Sequence, residues 1–258
     1  MLIPIEQLVL LCVGFFVIAT LYSSVGFGGG SSYLALLTLF LTSFFAIRSI
    51  ALVCNLVVVS GSTYLYFKNG HAQWKDFLPF VIASIPLAYI GASFRLKEHI
   101  FFIILGSALI LSAAFLALQT FDFKGKHKET KEYPSYLSYV LGAGIGFLSG
   151  LVGIGGGIFL APVLNHLRWN KAIKIAALAS FFILVNSISG LFGLITSDAL
   201  SLPWRETLCL LIAVLLGGQL GIRISLKKLS ANGIKRVTAL LVFVVGIRVL
   251  FVNGLSFF

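Results

Sequence analysis

The sequence predicts an all-α protein that crosses a membrane many times, built as two inverted repeats. Each repeat is expected to hold a broken or re-entrant helical hairpin with a glycine tip, followed by three spanning helices. Three observations carry this expectation. Of 258 residues, 59% are hydrophobic and only 10% charged, with a mean hydropathy of +1.05; a soluble domain of this length needs far more polar surface. Apolar runs recur, the cleanest being FFIILGSALILSAAFLAL from Phe101 to Leu118, and about 18 such residues suffice for a span. A glycine cluster occurs twice, as VGFGGGSS from Val25 to Ser32 and as VGIGGGIF from Val152 to Phe159.

The first half, 1–120, divides into five helical segments at roughly 6–24, 31–45, 46–67, 77–94 and 99–119. The opening MLIPIEQ lacks a basic n-region, so the first apolar run is expected to be a retained span and not a signal peptide. A polar stretch, 121–134, carries Lys124, Lys126, Lys128 and Lys131 and reads as a linker. The second half, 135–258, repeats the plan at roughly 136–152, 158–167, 172–196, 204–224 and 234–253. Matches run in register between the halves. Ala46-Ile47-Arg48 answers Ala172-Ile173-Lys174, Ser60-Gly61 answers Ser189-Gly190, Trp74-Lys75-Asp76 answers Trp204-Arg205-Glu206, and Gly91 answers Gly221. The second segment of each half is short. Ile158 to Leu167 would extend about 15 Å as a helix, half of a hydrocarbon core of about 30 Å.

The net charge of +11 does not point to nucleic acid, because the basic residues lie between apolar spans, where cytoplasmic loops collect them. With the N-terminus outside and an odd number of crossings per half, 14 lysines and arginines fall inside and four outside: Arg48, Arg95, Lys97 and Arg205. Even crossings give a poorer split, about 11 to 7. Both termini are therefore expected outside and the linker in the cytoplasm, which makes the repeats inverted. Arg248 falls within the last span as the one deep cation. Cys12, Cys54 and Cys209 sit in apolar runs without metal-ligand spacing and read as packing residues.

Three consecutive glycines do not hold a helix. The backbone at Gly28, Gly29 and Gly30, and again at Gly155, Gly156 and Gly157, is expected to be non-helical, with helices restarting at Ser31 and near Ile158. Irregular backbone at membrane depth survives where protein or a wet cavity satisfies it. A helix N-terminus offers free N–H groups and about half a positive charge. Two such termini from inverted halves would form an anion site near the midplane. Gly142, Gly146 and Gly150 fit the plainer role of close helix crossing. A dinucleotide fingerprint fails, since Ser31 and Ile158 stand where its last glycine would be.

The motifs VGFGGGSSYLALL and GLVGIGGGIFLAPVL resemble those of the sulfite exporter TauE/SafE family, over nearly the whole chain. The resemblance implies movement of small sulfur-containing anions or organosulfonates across a bacterial inner membrane. The serines Ser31 and Ser32 follow the first cluster, whereas Ile158 and Phe159 follow the second, so the half-sites are chemically unequal.

Further polar candidates are Asn55, seven residues before Ser62, and Asn186 and Ser189 on the matching span. None of the eight carboxylates lies mid-span. Without one the sequence offers no built-in proton relay and no acid–base set for an enzyme. The expected partners are a small anionic substrate and the bilayer, with no cofactor and no nucleic acid; a homodimer is compatible with the sequence. An anion channel or uptake permease of the same fold, or a non-transporting assembly subunit, stands as the alternative.

Overall fold

The computed structural model describes residues 4–24, 26–41, 43–121, 131, 133–225 and 231–254. Among these, all regular structure is helical. The helices are α1 (Ile5–Ser23), α2 (Gly30–Leu37), α3 (Phe44–Lys68), α4 (Trp74–Ser93), α5 (Glu98–Phe121), α6 (Ser135–Val152), α7 (Gly157–Leu167), α8 (Ala172–Thr196), α9 (Trp204–Ser225) and α10 (Ala231–Arg248), the last continuing as a π-helical stretch over Val249–Gly254. Seven of them, α1, α3, α4, α5, α6, α8 and α9, are long and apolar enough to cross a membrane. Their outer faces are as apolar as their inner ones. On α1, Leu8, Leu11, Phe15 and Ile18 are buried, while Val9, Leu10, Val13 and Val17 are exposed. A helix that is hydrophobic all round, at the surface of a fold, is in lipid. The chain is a multi-pass membrane protein. The expected linker lies largely outside the described residues, as do Val25, Lys227 and Lys228.

One boundary differs from expectation. The segment expected at 31–45 is two pieces. Helix α2 stops at Leu37, and Ser43 begins α3, its hydroxyl accepting a hydrogen bond from Ala46 N at 3.4 Å. A serine N-cap set in an apolar flank ends one helix and starts the next.

Packing pairs the halves reciprocally. Helix α1 lies on α9 as α6 lies on α4; α2 lies on α3 as α7 lies on α8; α10 meets α2 as α5 meets α7. At the centre α3 and α8 run antiparallel. Phe45 and Leu52, early in α3, pack with Leu194 and with Ala199 just past the end of α8, and Ser49 Oγ accepts from Ser201 N at 3.1 Å. The close crossing of α4 and α6 is made by Gly142, Gly146 and Gly150 lying on Phe80, Ser84 and Ala88. A Cβ added at Gly146 would stand 2.7 Å from Ser84 Cα, so backbone would have to move. The packing role read for these three from their spacing holds.

Candidate functional site

Helices α2 and α7 are the short ones, at 8 and 11 residues. Each begins from a glycine in the left-handed region, Gly29 at φ 88° and Gly156 at φ 83°. That conformation suits glycine and strains any residue with a Cβ. Neither N-terminus has a side-chain cap. The leading N–H groups of both helices therefore lack both an intrahelical partner and a capping side chain. Both helices begin one residue earlier than expected, at Gly30 and Gly157.

The two tips meet. A Cβ at Gly30 would lie 2.5 Å from the carbonyl oxygen of Ile154, on the other tip. Between them stands Asn55, fully buried, whose Nδ2 donates to Ile154 O at 3.0 Å. Its Oδ1 has no partner and lies 2.7 Å from the Cβ position of Gly28. Gly155 approaches the same amide, its Cβ position 3.0 Å from Nδ2 and 3.3 Å from Ser187 Oγ. Asn55 is the twelfth residue of a 25-residue helix, so the tips meet halfway along α3. Helices of that length extend about 37 Å. The midpoint is accordingly deep in any membrane they cross.

The two serines of the first tip behave differently. Ser32 shares a hydrogen bond with Tyr22 Oη at 2.6 Å and so faces α1. Ser31 is buried with its hydroxyl unpartnered. Ser180 of α8 donates to the carbonyl of Gly26, anchoring the first tip to the second half. Asn186 is fully buried with both amide atoms unpartnered. Ser189 turns elsewhere: it donates to Ile85 O at 2.6 Å and borders an apolar groove of about 770 Å³ between α4 and α8. The structure thus gathers Gly28, Gly30, Ser31, Asn55, Gly155 and Gly157 about the tips and leaves Ser189 beside α4.

Sequence reasoning missed Ile183 and Ser187, which face the second tip, and Arg48. Ile183 Cγ1 stands 2.5 Å from the Cβ position of Gly157, with Cδ1 also against it, and Cγ2 stands 2.7 Å from that of Gly155. Arg48, counted on the outer side at the start of the third segment, is fully buried inside α3. Arg248, a cation within the last span that the sequence reads as snorkelling to the outer surface, is exposed on α10. The signal for Arg48 was present: it precedes Asn55 by seven residues, as Asn55 precedes Ser62, which puts all three on one helix face.

The chain is similar to other membrane proteins along almost its whole length. It is 37% identical over 245 residues to the probable membrane transporter protein y4hK of Sinorhizobium fredii, covering 93% of this chain and 97% of that one. It is 29% identical over 261 residues to the probable membrane transporter protein MJ0441 of Methanocaldococcus jannaschii, with 93% and 94% covered. With YunE of Bacillus subtilis, another probable membrane transporter protein, the identity is 26% over 207 residues, with 74% and 75% covered. No solved structure matches it. Residues 10–249, which include both glycine tips and the helices that hold them, match the family described as Sulfite exporter TauE/SafE, and the chain belongs to that family.

Proposed function

We propose that this protein is a secondary transporter that exports a small anion, a sulfur oxyanion or organosulfonate of the sulfite type, through a site between the two glycine tips. One observation carries the reading: two uncapped helix N-termini converge on Asn55 halfway along α3. Each supplies free N–H groups and a partial positive charge. The buried, unpartnered Ser31 Oγ and Ser187 Oγ add hydroxyl donors to this place. Family membership and the relatives' names as probable transporters support transport. The family's description supports sulfite-like cargo.

The antiparallel packing of α3 on α8 supports an inverted repeat, and the 14 to 4 charge split supports a cytoplasmic linker with both termini periplasmic in an inner membrane. An inside-negative potential favours anion exit by about 2.3 kcal/mol per charge per 100 mV. Efflux assisted by the potential needs no protein-borne proton carrier.

Purified protein in liposomes should move sulfite, thiosulfate or a short sulfonate above empty-liposome controls, faster when the potential drives the anion outward. Absence of flux for all three would overturn transport of this class. Flux that ignores the potential and follows a pH gradient would replace the driving force. In a cysteine-free background, periplasmic labelling of Lys126→Cys in intact cells would overturn the orientation.

A further inference from the structure

Arg48 has a basic counterpart in the repeat, Lys174, but Lys174 pairs with Asp76 and Arg48 with no carboxylate among the described residues. Arg48 is fully buried in the second turn of α3. Its Nη2 donates to Ala92 O at 3.1 Å and to Gly150 O at 2.9 Å. These carbonyls belong to the last turns of α4 and α6, where they lack intrahelical partners and carry the negative ends of the helix dipoles. The Phe101 ring centroid lies 6.0 Å from the guanidinium carbon. Those contacts explain Nη2 alone. Nε and Nη1 have no partner, and no carboxylate among the described residues pairs with Arg48. A side chain needed only to clamp two carbonyls could be a neutral amide. A guanidinium leaves three N–H bonds unmet and a full charge without a carboxylate counter-ion at membrane depth, where both are costly, and it does not shed its proton to escape.

Its position gives that charge a use. Arg48, Asn55 and Ser62 recur at intervals of seven on one face of α3, two turns or about 10 Å apart. All three are buried, and each retains an unpartnered polar atom; Arg48 Nε and Nη1 and Ser62 Oγ can donate to an anion, whereas Asn55 Oδ1 can only accept. The Arg48 stem packs on the shoulder of the second tip, with its Cβ and Cγ 3.3 Å from the Cβ position of Gly153.

We propose that Arg48 is an anion-binding residue of the transport path, and that the transported oxyanion is its missing counter-ion. The anion would dock on Nε and Nη1 on the side of the tips where α3 begins and α4 ends. A planar guanidinium matches the oxygens of a sulfite or sulfonate group better than it matches a spherical halide. The inference rests on the anion-transport reading and adds a formal charge to the uncharged tips.

The test compares the parent with Arg48→Gln and Arg48→Lys. Purified protein is titrated with sulfite, thiosulfate or a short sulfonate against chloride at constant ionic strength, reading the thermal midpoint. Flux is measured in liposomes on the same preparations. The oxyanion should raise the parental midpoint above that in chloride, and Arg48→Gln should lose this rise. Arg48→Lys keeps a cation without the planar fork, so KM should rise about 10- to 100-fold with kcat near parental. Should Arg48→Gln fail to elute as monodisperse protein, Arg48→Lys decides by its KM. A variant that is folded yet keeps the parental oxyanion-induced rise and KM overturns the role of Arg48 while leaving anion transport standing. A parental protein with neither a midpoint rise nor flux for any of the three anions overturns anion transport itself, and the role of Arg48 with it.

Discussion

At the first glycine tip, Gly28 and Gly30 face the amide of Asn55; at the second, Gly155 and Gly157 face the side chain of Ile183. Asn55 is the twelfth residue of α3 and Ile183 the twelfth of α8. The pattern continues one turn on. Gly28 meets Val59, whereas Gly155 meets Ser187, the residue four beyond Ile183. The tips share their left-handed entry, with Gly29 and Gly156 within 5° of each other in φ, although Gly155 is also left-handed at φ 85° where Gly28 is not. Their surroundings differ. What the tips share is what glycine alone supplies, a left-handed entry into a half-helix, while side-chain polarity falls at opposite positions. Asn55 then reaches across to Ile154 and so serves both tips. On the proposed reading, two half-sites sharing one amide would make a single binding place.

The largest expected effect separates the two tips at their closest approach. Alanine at Gly30 would put a Cβ 2.5 Å from the Ile154 carbonyl, which is backbone and gives way only if the tips part. Alanine at Gly157 would meet Ile183 Cδ1 and Cγ1 and, at 3.2 Å, the Ala179 carbonyl, so it presses on α8 and not on the facing tip. Flux per folded molecule should fall about 100-fold or more in Gly30→Ala, as displacements near 1 Å do in other preorganised sites, and stay within about tenfold of parental in Gly157→Ala. Monodisperse elution and the thermal midpoint establish folding. Equal losses would mean that the two tips are functionally alike. Valine at Gly29 or Gly156 asks a different question. Its Cβ would point at Tyr33 and Ile18, or at Phe182 and Ser149, so both variants abolish flux through backbone shape and not by filling the space between tips.

The next effect tests the amide. Asn55→Leu removes the hydrogen bond to Ile154 O and the free Oδ1, and leaves a buried carbonyl without its partner. That costs about 1–3 kcal/mol. We expect KM to rise about 10- to 100-fold with a lower thermal midpoint. Ile183→Leu, at the matching position of α8, should change KM by less than about threefold, since volume-conserving apolar exchanges are well tolerated. If Ile183→Leu is as damaging as Asn55→Leu, packing at the tips outweighs polarity.

Much of this arrangement was legible in the chain, for physical reasons that also mark where legibility ends. The glycine clusters announced non-helical backbone because glycine is the residue that φ near 85° requires. Gly142, Gly146 and Gly150 announced a close crossing by their spacing of four. The start of α3 was hidden. Phe44 and Phe45 continue the apolar run without a break, so the helix was expected at 46 and Arg48, at its very start, was counted among the outer charges. With the helix beginning at Phe44, Arg48 lies a full turn inside it. The pairing of Asn55 with Ile183 was hidden too. The repeat offset drifts along the chain, and matching by residue type drew attention to Asn186 instead.

The smallest expected effect divides the serines of the first tip, which sequence treats as equals. Ser32 holds Tyr22 through a 2.6 Å hydrogen bond, so Ser32→Ala should act on stability. A buried hydrogen bond contributes about 1 kcal/mol, or about 2–4 °C in a protein of this size, and KM should not move. Ser31 has an unpartnered buried hydroxyl, so its loss leaves no protein group bereft and should hold or raise the thermal midpoint. If that hydroxyl donates to the anion, Ser31→Ala weakens binding by about 1.5–3 kcal/mol, seen as KM about tenfold or more above parental. The two alanine variants should therefore cross: one less stable with normal KM, the other stable with raised KM. Measuring midpoint and KM on the same preparations decides it. Should Ser31→Ala leave KM untouched, the anion does not reach the first turn of α2, and the binding place shifts toward Asn55 and Ser187, deeper against α8.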